Sequence, residues 1–374
     1  MRPGRLVPIR EDAPGLVVER ILAVRAAGAV PLVGDPRWSA AHWQSIVDAA
    51  EAATPDPDIA WAAVTSGSSG TPRIVLRTAA SWSDSFAVIA GLLGAGPDDA
   101  VALPAPPVSS LTQFSLAHAA DGGPRALLPR GRALVAVDFA DATCFHGTPH
   151  ALRALLDAGA PPRLRAALVG GSHLDPALRA RVEAAGVRVV SYYGAAELSF
   201  VAADHGEGLT PLPGVEAEIR GGELFVRSPF AAARYLDGPL RRQGDWIASG
   251  DRAELQGGRL RLLGRVDDAI LSASATIVPE EVEAQLRTLP GVRDAAVIGL
   301  PHRRLGALIA AVIEPDPALS PVIAELRAAA ALALAPAHRP RRWYTGVLPR
   351  TAAGKPARAR IAREVAAGEW PRLG

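Results

Sequence analysis

Short apolar runs alternate with stretches of helical periodicity over the first half of the chain, and this alternation restricts the fold more than any other feature. The runs that predict buried strands are 29–33, 60–64, 100–103, 166–169 and 187–191. The stretches that predict helices are 15–27, 80–93, 149–158 and 176–185. Strands that are joined by helical connections pair in parallel. The sequence therefore predicts an α/β fold with mostly parallel sheets.

The pattern changes after about Pro211. Shorter strands at 217–219, 223–227 and 259–263 are bounded by glycine-containing turns, which predicts a small β-rich subdomain. A further unit follows, with predicted helices at 279–289 and 321–334 and predicted strands at 294–300 and 308–313. We therefore expect a large N-terminal domain over 1–265, whose β-rich part spans about 211–264, and a small α+β C-terminal domain over 266–374.

Composition excludes several classes of protein. The chain has 374 residues, of which 49% are hydrophobic, so it can bury a large core. A formal charge of +2 gives no support to nucleic-acid binding. The single cysteine, Cys144, cannot form an internal disulfide or a cysteine-rich metal site. The N-terminus lacks an apolar targeting segment and the longest apolar stretch, 308–313, is too short to span a membrane, so we expect a cytoplasmic protein.

Lysine usage singles out one position. Of the 40 lysine and arginine residues only Lys355 is a lysine. An ammonium is a compact charge that enters sites where the planar guanidinium of arginine does not fit. Lys355 is therefore a candidate for chemistry, and the alternative is that one surface lysine persisted by chance.

The segment 65–73, TSGSSGTPR, follows a predicted strand and is dense in hydroxyl groups and glycines. Such a loop suits the wrapping of phosphate groups, because glycine lets the backbone N–H groups approach closely. It is not a Walker A loop, since no Gly-Lys-Ser/Thr sequence ends it. Taken alone, a loop of this composition is more often a simple connection.

Four further segments accompany this loop in order. They are YYGAAE at 192–197, SGD at 249–251, GRVDD at 264–268 and PRTAAGK at 349–355. The first follows a strand of the predicted parallel sheet, where ligands gather at the carboxyl ends of strands. Together, in this order and spacing, the five segments resemble the adenylate-forming superfamily of acyl-CoA synthetases, adenylation domains and luciferases. Residues 270–272 and 277–279 are similar to o-succinylbenzoate-CoA ligases and short fatty-acid-CoA ligases.

The resemblance implies a two-step reaction that uses ATP, Mg²⁺ and CoA. A carboxylate attacks the α-phosphate of ATP to give acyl-AMP and pyrophosphate, and a thiol, usually that of CoA, then displaces AMP. The C-terminal domain would swing between the two half-reactions, with Asp267 at the hinge. Lys355 would bridge the acyl carboxylate and the α-phosphate and offset negative charge in the first transition state.

The resemblance also assigns residues to the nucleotide. Those expected to hold the β- and γ-phosphates are Thr65, Ser66, Gly67, Ser68, Ser69, Gly70 and Thr71, with Arg73 in place of a usual lysine. Gly170, Gly171 and Ser172 would border the adenine and the acyl pocket. Tyr193, followed by Gly194, would lie against the adenine. Glu197 would bind Mg²⁺, Asp251 would accept both ribose hydroxyls, and Arg265 would assist at the ribose.

Each assignment has a structural alternative. Asp251 and Asp268 could be turn residues, Glu197 could cap a following helix, and Tyr192 or Tyr193 could belong to the core. The histidines His146, His150 and His173 lack the spacing of metal ligands, and we interpret them as pocket-lining or surface residues.

Three features of the sequence, compared with the superfamily pattern, bear on adenylation, on the second step and on the substrate. Ala196 replaces the usual hydroxyl before the motif glutamate, which removes one hydrogen bond to the α-phosphate. Ala273 and Ser274 replace a Gly-Gly where the pantetheine arm would pass, so CoA use is less secure than adenylation. The small, uncharged residues at 104–114 favour an apolar or aryl acid as substrate. Alternatives are an enzyme that loads a carrier protein and a catalytically weak acyl- or nucleotide-binding homologue, and the oligomeric state, a homodimer included, stays open.

Overall fold

The structure is a computed structural model that describes residues 2–65, 73–131, 134–172, 174–265, 270–272, 275–303, 306–317, 319, 322–351 and 354–373. Predicted site residues Ser66 to Thr71 and Asp267, and also His173, Asp268, Ala273 and Ser274, lie outside these ranges. No helix in the described ranges is long and apolar enough to cross a bilayer.

The large N-terminal part of the chain contains most of the strands and helices. Its strands are β1 (Leu6–Ile9), β2 (Val30–Val33), β3 (Trp61–Thr65), β4 (Arg73–Arg77), β5 (Ala100–Ala102), β6 (Arg125–Leu127), β7 (Cys144–Gly147), β8 (Ala166–Val169), β9 (Arg188–Ala195), β10 (Ser199–Asp204), β11 (Thr210–Pro211), β12 (Glu216–Arg220), β13 (Glu223–Arg227), β14 (Arg234–Tyr235), β15 (Arg242–Gln243), β16 (Trp246–Gln256) and β17 (Arg259–Arg265). Its helices are α1 (Pro14–Ala26), α2 (Ala40–Ala52), α3 (Ala80–Leu93), α4 (Ser110–Ala120), α5 (Pro149–Gly159) and α6 (Pro176–Ala184), with a 3₁₀ turn at Ala136–Phe139.

These strands form three sheets. The first has the order β1-β2-β3-β4-β14 and the second β11-β10-β9-β8-β7-β5-β6. In the second sheet β6, β5, β7, β8 and β9 are parallel, as the sequence predicts. The third sheet, β12-β13-β16-β15 with β17 on β16, is antiparallel and confirms the β-rich subdomain.

Two hairpins break the parallel pattern where chemistry is expected. The strand predicted at 187–191 continues as β9 through Ala195 and turns back into the antiparallel β10. The segment 65–73 joins β3 to the antiparallel β4, with Thr65 opposite Arg73. Both motifs thus lie at the end of a strand that pairs with the next strand in the chain.

The small C-terminal part is an α+β unit. Its strands are β18 (Ile270–Ser272), β19 (Ala275–Ile277), β20 (Val292–His302), β21 (Gly306–Pro315) and β22 (Arg342–Thr345), and its helices are α7 (Pro279–Leu286), α8 (Ile323–Ala333) and α9 (Arg358–Ala366), with a 3₁₀ turn at Pro336–His338. Alternate residues of β20 face opposite sides. Ala295 and Val297 pack with the residues of α7 and α8, whereas Ala296 and Ile298 pack with Ile361 of α9.

Candidate active site

Three predicted nucleotide residues meet at the junction of the second and third sheets. The Tyr193 hydroxyl donates a hydrogen bond to Oδ2 of Asp251. Arg265 lies opposite Asp251 in the β16–β17 ladder and donates to Oδ1 at 3.4 Å. Burial is the largest cause that raises the pKa of Tyr193 well above its ordinary value. The charge of Asp251 and the hydrogen bond that Tyr193 donates to Asp251 raise this pKa further. The phenol therefore stays protonated and fixes the carboxylate of Asp251.

Gly250 makes this arrangement sterically feasible. Its φ of +78° lies in the left-handed region, and an added Cβ would approach the Arg265 guanidinium to 2.8 Å. The Ser249 hydroxyl accepts a hydrogen bond from the Asp251 N–H at 3.0 Å. The segment 249–251 is a turn-like irregularity inside strand β16. The alternative that Asp251 is a turn residue therefore does not conflict with its hydrogen bond from Tyr193.

Glu197 lies in the connection between β9 and β10. Its Oε1 accepts a hydrogen bond from the Tyr235 hydroxyl at 3.0 Å, and the Arg73 guanidinium lies 3.8 Å from the centre of the Tyr235 ring. Burial and then the charge of Glu197 raise the pKa of Tyr235 to about 12. A strand follows Glu197, so the alternative that it caps a helix is wrong. Glu197 and Arg73, assigned separately by resemblance, share Tyr235 as a partner.

Arg77 is a site residue that the sequence analysis missed. Its side chain is 1% exposed, and it donates to the Ala196 carbonyl at 2.9 and 3.1 Å and to the Phe230 carbonyl at 2.8 Å. Burial lowers its pKa to about 9, and the negative charge of Glu197 opposes this lowering. The signal was an arginine directly after the apolar run IVL in the strand RIVLR at 73–77. Arg77 holds the backbone next to Glu197 in place.

We expect Arg77→Lys to lower both stability and activity. An ammonium lacks the planar fork that reaches both carbonyls, and each buried carbonyl left without a donor costs about 1–3 kcal/mol. Thermal unfolding should show a Tm lower by several degrees, and acyl-AMP formation should fall. Arg234→Lys, at a half-buried pair with Asp56, is the matched control and should leave both nearly unchanged. A Tm equal to that of the unmodified chain would contradict this role.

Lys355 approaches this site from the small domain. The residue is exposed as a whole, yet desolvation lowers the pKa of its ammonium. The charges of Arg265 and Arg358 add to this lowering, whereas Asp251 and Glu280 oppose it. The charges that act on Lys355 thus come from both domains, and those of Asp251 and Arg265 are among them.

The glycines that the resemblance assigns to the site have close neighbours in the fold. An added Cβ on Gly170 would lie 2.2 Å from the Tyr192 ring, and one on Gly194 would lie 2.0 Å from the Ser199 carbonyl oxygen. Gly171 has a φ of +87°, and Ser172 beside it is exposed. The structure thus brings Gly170 next to Tyr192 and not next to Asp251.

Tyr192 points away from Tyr193, as neighbours in a strand do. Its hydroxyl lies 3.0 Å from Nε2 of His146, whose Nδ1 lies 2.8 Å from the Ser115 hydroxyl. His146 is fully buried, and burial lowers its pKa to about 3, so its imidazole is neutral. Among the described residues no group of three His, Cys, Asp or Glu side chains could hold a metal ion. His146 is therefore a satisfied core residue and not a surface one.

Comparisons with known proteins give matches over both parts of the chain. The family model described as AMP-binding enzyme matches residues 42–236, and the one described as AMP-binding enzyme C-terminal domain matches residues 281–355. A probable 2-succinylbenzoate–CoA ligase of Mycobacterium tuberculosis is 31% identical over 341 residues, covering 83% of this chain and 86% of the relative. The 2-succinylbenzoate–CoA ligase of Escherichia coli K12 is 28% identical, and the match covers 84% of this chain and 72% of the relative.

Solved structures match over nearly the whole chain. A variant of E. coli MenE with bound OSB-AMS has a TM-score of 0.84 at 24% identity, with 97% of this chain and 88% of that chain covered. The amide bond synthetase McbA from Marinactinospora thermotolerans has a TM-score of 0.82 at 24% identity, with 98% and 90% covered. At these identities the structural matches show the fold, a large domain of mixed sheets followed by a small one.

Proposed function

The chain belongs to the AMP-binding enzyme family, and from this premise we propose that it converts an aryl carboxylic acid, ATP and CoA into acyl-CoA, AMP and pyrophosphate. The first step forms a bond from the acid to the α-phosphorus of ATP and releases pyrophosphate. The second step transfers the acyl group from AMP to a thiol. The enzyme is thus an adenylate-forming acid–thiol ligase, like the 2-succinylbenzoate–CoA ligases that it resembles.

The proposal depends on one observation above all: charges of Asp251 and Arg265 in the large domain act on the ammonium of Lys355, whose neighbour Gly354 packs against Thr148 of the large domain. In the proposed arrangement Asp251 accepts the two ribose hydroxyls, while Tyr193 and Arg265 fix its carboxylate. The ammonium of Lys355 lies on the same side and attracts the oxygens on which negative charge accumulates during attack at the α-phosphorus. The same residue counts against a catalytically weak binding protein.

The residues around Glu197 fit a magnesium ion. Mg²⁺ in phosphate-transfer sites is usually held by one or two carboxylates together with substrate phosphates. Glu197 offers one carboxylate beside Arg73, at the end of the proposed phosphate loop 65–71. When bound, the ion would neutralise phosphate charge, and Tyr235 would orient Glu197 toward it.

An aryl acid and CoA are the finer parts of the proposal. Relatives named as 2-succinylbenzoate–CoA ligases support both. The small, uncharged residues at 104–114 also favour an apolar or aryl acid. Ala273 and Ser274, which bear on the pantetheine passage, lie outside the described residues.

Pyrophosphate release over a panel of carboxylic acids tests the function. With aryl acids as substrates the protein should release pyrophosphate from ATP in the presence of Mg²⁺, and with amino acids it should not. Addition of CoA should then give AMP and a thioester. A parallel assay in which a phosphopantetheinyl carrier protein replaces CoA shows which of the two thiols accepts the acyl group. If none of the acids in the panel leads to pyrophosphate release, the proposal is contradicted.

We expect Glu197→Gln to raise the Mg²⁺ concentration needed for half-maximal acyl-AMP formation by about tenfold, because a neutral amide is a poorer ligand for a hard cation. Tyr235→Phe is the matched control, since it removes the hydrogen bond to Glu197 but keeps the carboxylate. A magnesium titration of the three proteins measures the effect. Identical titrations would reduce Glu197 to a structural residue.

A further inference from the structure

The start of helix α5 in the large domain contacts the loop that carries Lys355. Thr148 caps this helix, since its Oγ1 accepts a hydrogen bond from the Ala151 N–H at 3.2 Å. Gly354 lies directly against it: an added Cβ on Gly354 would approach Oγ1 of Thr148 to 2.9 Å and Cγ2 to 3.3 Å. Gly354 also has a φ of +76°. The residue before the lysine therefore has no space for a side chain because of Thr148.

His150, two residues further on in helix α5, is half-buried, and the charges of a cluster in the small domain act on it. Desolvation lowers the pKa of His150; Arg350 and Arg293 add to this lowering, and Glu314 and Asp294 oppose it. Arg350 is bonded to Asp294 at 2.9 Å and to Glu314 at 3.1 Å.

The charged cluster is joined to the catalytic loop. Arg350 donates to the Gly354 carbonyl at 3.4 Å, and the Lys355 carbonyl accepts from the Thr351 N–H at 2.8 Å. Gly354, which packs against Thr148, is thus bonded to Arg350, whose charge acts on His150, at the other end of one short loop. Movement at either end would displace the Lys355 ammonium.

We propose that Thr148 and His150 form a docking platform that positions Lys355 for acyl-AMP formation. Both are positioning residues, because they act through Gly354 and Arg350 and not on the reacting atoms. The proposal rests on the proposed function in one respect, namely that Lys355 serves the first half-reaction. It also means that thioester formation, in which the small domain takes another orientation, does not need the platform.

The charges around His150 give the platform a dependence on pH. A protonated His150 would add a positive charge beside Arg350 and Arg293, and both nearby carboxylates already pair with arginines. On its own helix, Arg153 is bonded to Asp175. The docked state therefore favours neutral His150. Acidification through the ordinary histidine pKa of about 6.5 should release the small domain.

Distance measurement between spin labels tests docking without any catalytic activity. Val137 of the large domain and Leu332 of the small domain are 68% and 92% exposed, so cysteines placed there accept labels. Cys144 is buried and its pKa is raised to about 12, so it stays unlabelled. Pulsed electron paramagnetic resonance should show one major distance near neutral pH in the otherwise unchanged chain.

Substitutions at Thr148 and at His150 should affect the distribution of distances between the spin labels in different ways. Thr148→Leu should lower the docked population severalfold, because the larger side chain displaces Gly354, whereas Thr148→Ser keeps the helix cap and should not. Lowering the pH should reduce docking in the unchanged chain but not in His150→Gln. In active enzyme, Thr148→Leu should lose acyl-AMP formation by about 10- to 100-fold and keep thioester formation from added acyl-AMP.

The outcomes separate this proposal from the proposed function. Unchanged distances in Thr148→Leu together with an unchanged pH response in His150→Gln would overturn the platform. An equal fall of both half-reactions in Thr148→Leu would assign Thr148 a structural role and overturn its part in positioning. An unchanged chain that docks as expected but activates no acid would contradict the proposed function and leave the platform supported.

Discussion

Lys355→Ala and Lys355→Arg are both expected to lower the rate of acyl-AMP formation by about 10²- to 10³-fold, the usual effect of removing one preorganised group that stabilises transition-state charge. Alanine removes the charge. Arginine keeps it, but a planar guanidinium is bulkier and more weakly hydrated. It would also be subject to the positive charges of Arg265 and Arg358. We therefore expect no rescue by arginine.

The two half-reactions, measured separately, decide the role of Lys355. Conversion of added acyl-AMP and CoA to the thioester should stay close to that of the unchanged enzyme, since the lysine acts in the first step. Lys355→Met is the matched control for side-chain length and should fail like alanine. Near-normal adenylation by Lys355→Arg, or an equal loss in both half-reactions, would show that the assignment is wrong.

The lowered pKa of Lys355 adds a test of charge. Because the ammonium is the active form, adenylation should persist below its pKa and fall as pH rises through it. Desolvation lowers that pKa, so the fall should begin below the range of an ordinary lysine. An amine-selective reagent can modify only this side chain and the α-amino group, since the sequence contains no other lysine. ATP with the acid should protect against inactivation.

The sequence predicted the α/β fold class and several strands, but not β7 in the middle of the second sheet and not how the motifs are held. Apolar runs located β5, β8 and β9 because a buried parallel strand needs a continuous apolar segment. The continuation of β9 to Ala195 was missed, since its polar motif resembles a loop. It is a strand because Gly194 lets the Ser199 carbonyl approach closely.

The candidate site depended on long-range contacts that no local pattern contains. The resemblance assigned roles to Asp251 and Arg265, but their pairing follows from the register of β16 and β17. Arg77 bonds to a carbonyl 119 residues away, and the contact of Thr148 with Gly354 joins two domains. The domain boundary at 265 and 266 stays a prediction, because residues 266–269 lie outside the described ranges.

Asp251→Ala is expected to raise the KM for ATP by about 10²- to 10⁴-fold, because it removes a carboxylate whose two hydrogen bonds with the ribose would each contribute about 1.5–3 kcal/mol. The carboxylate side chain is 14% exposed, and Tyr193 and Arg265 fix it from within the protein. Circular dichroism should show an intact fold. Steady-state kinetics with ATP varied at saturating acid measures the change.

Tyr193→Phe separates ribose binding from the loss of an internal hydrogen bond. It removes the donor to Asp251 but keeps the carboxylate, so its KM for ATP should rise much less than that of Asp251→Ala. The nucleotide supplies a second comparison: the unchanged enzyme should discriminate against 2′-deoxy-ATP and 3′-deoxy-ATP, and Asp251→Ala should lose most of that discrimination. If both variants raise KM equally and discrimination persists without the carboxylate, Asp251 serves only to hold Tyr193, and the ribose is bound by other groups.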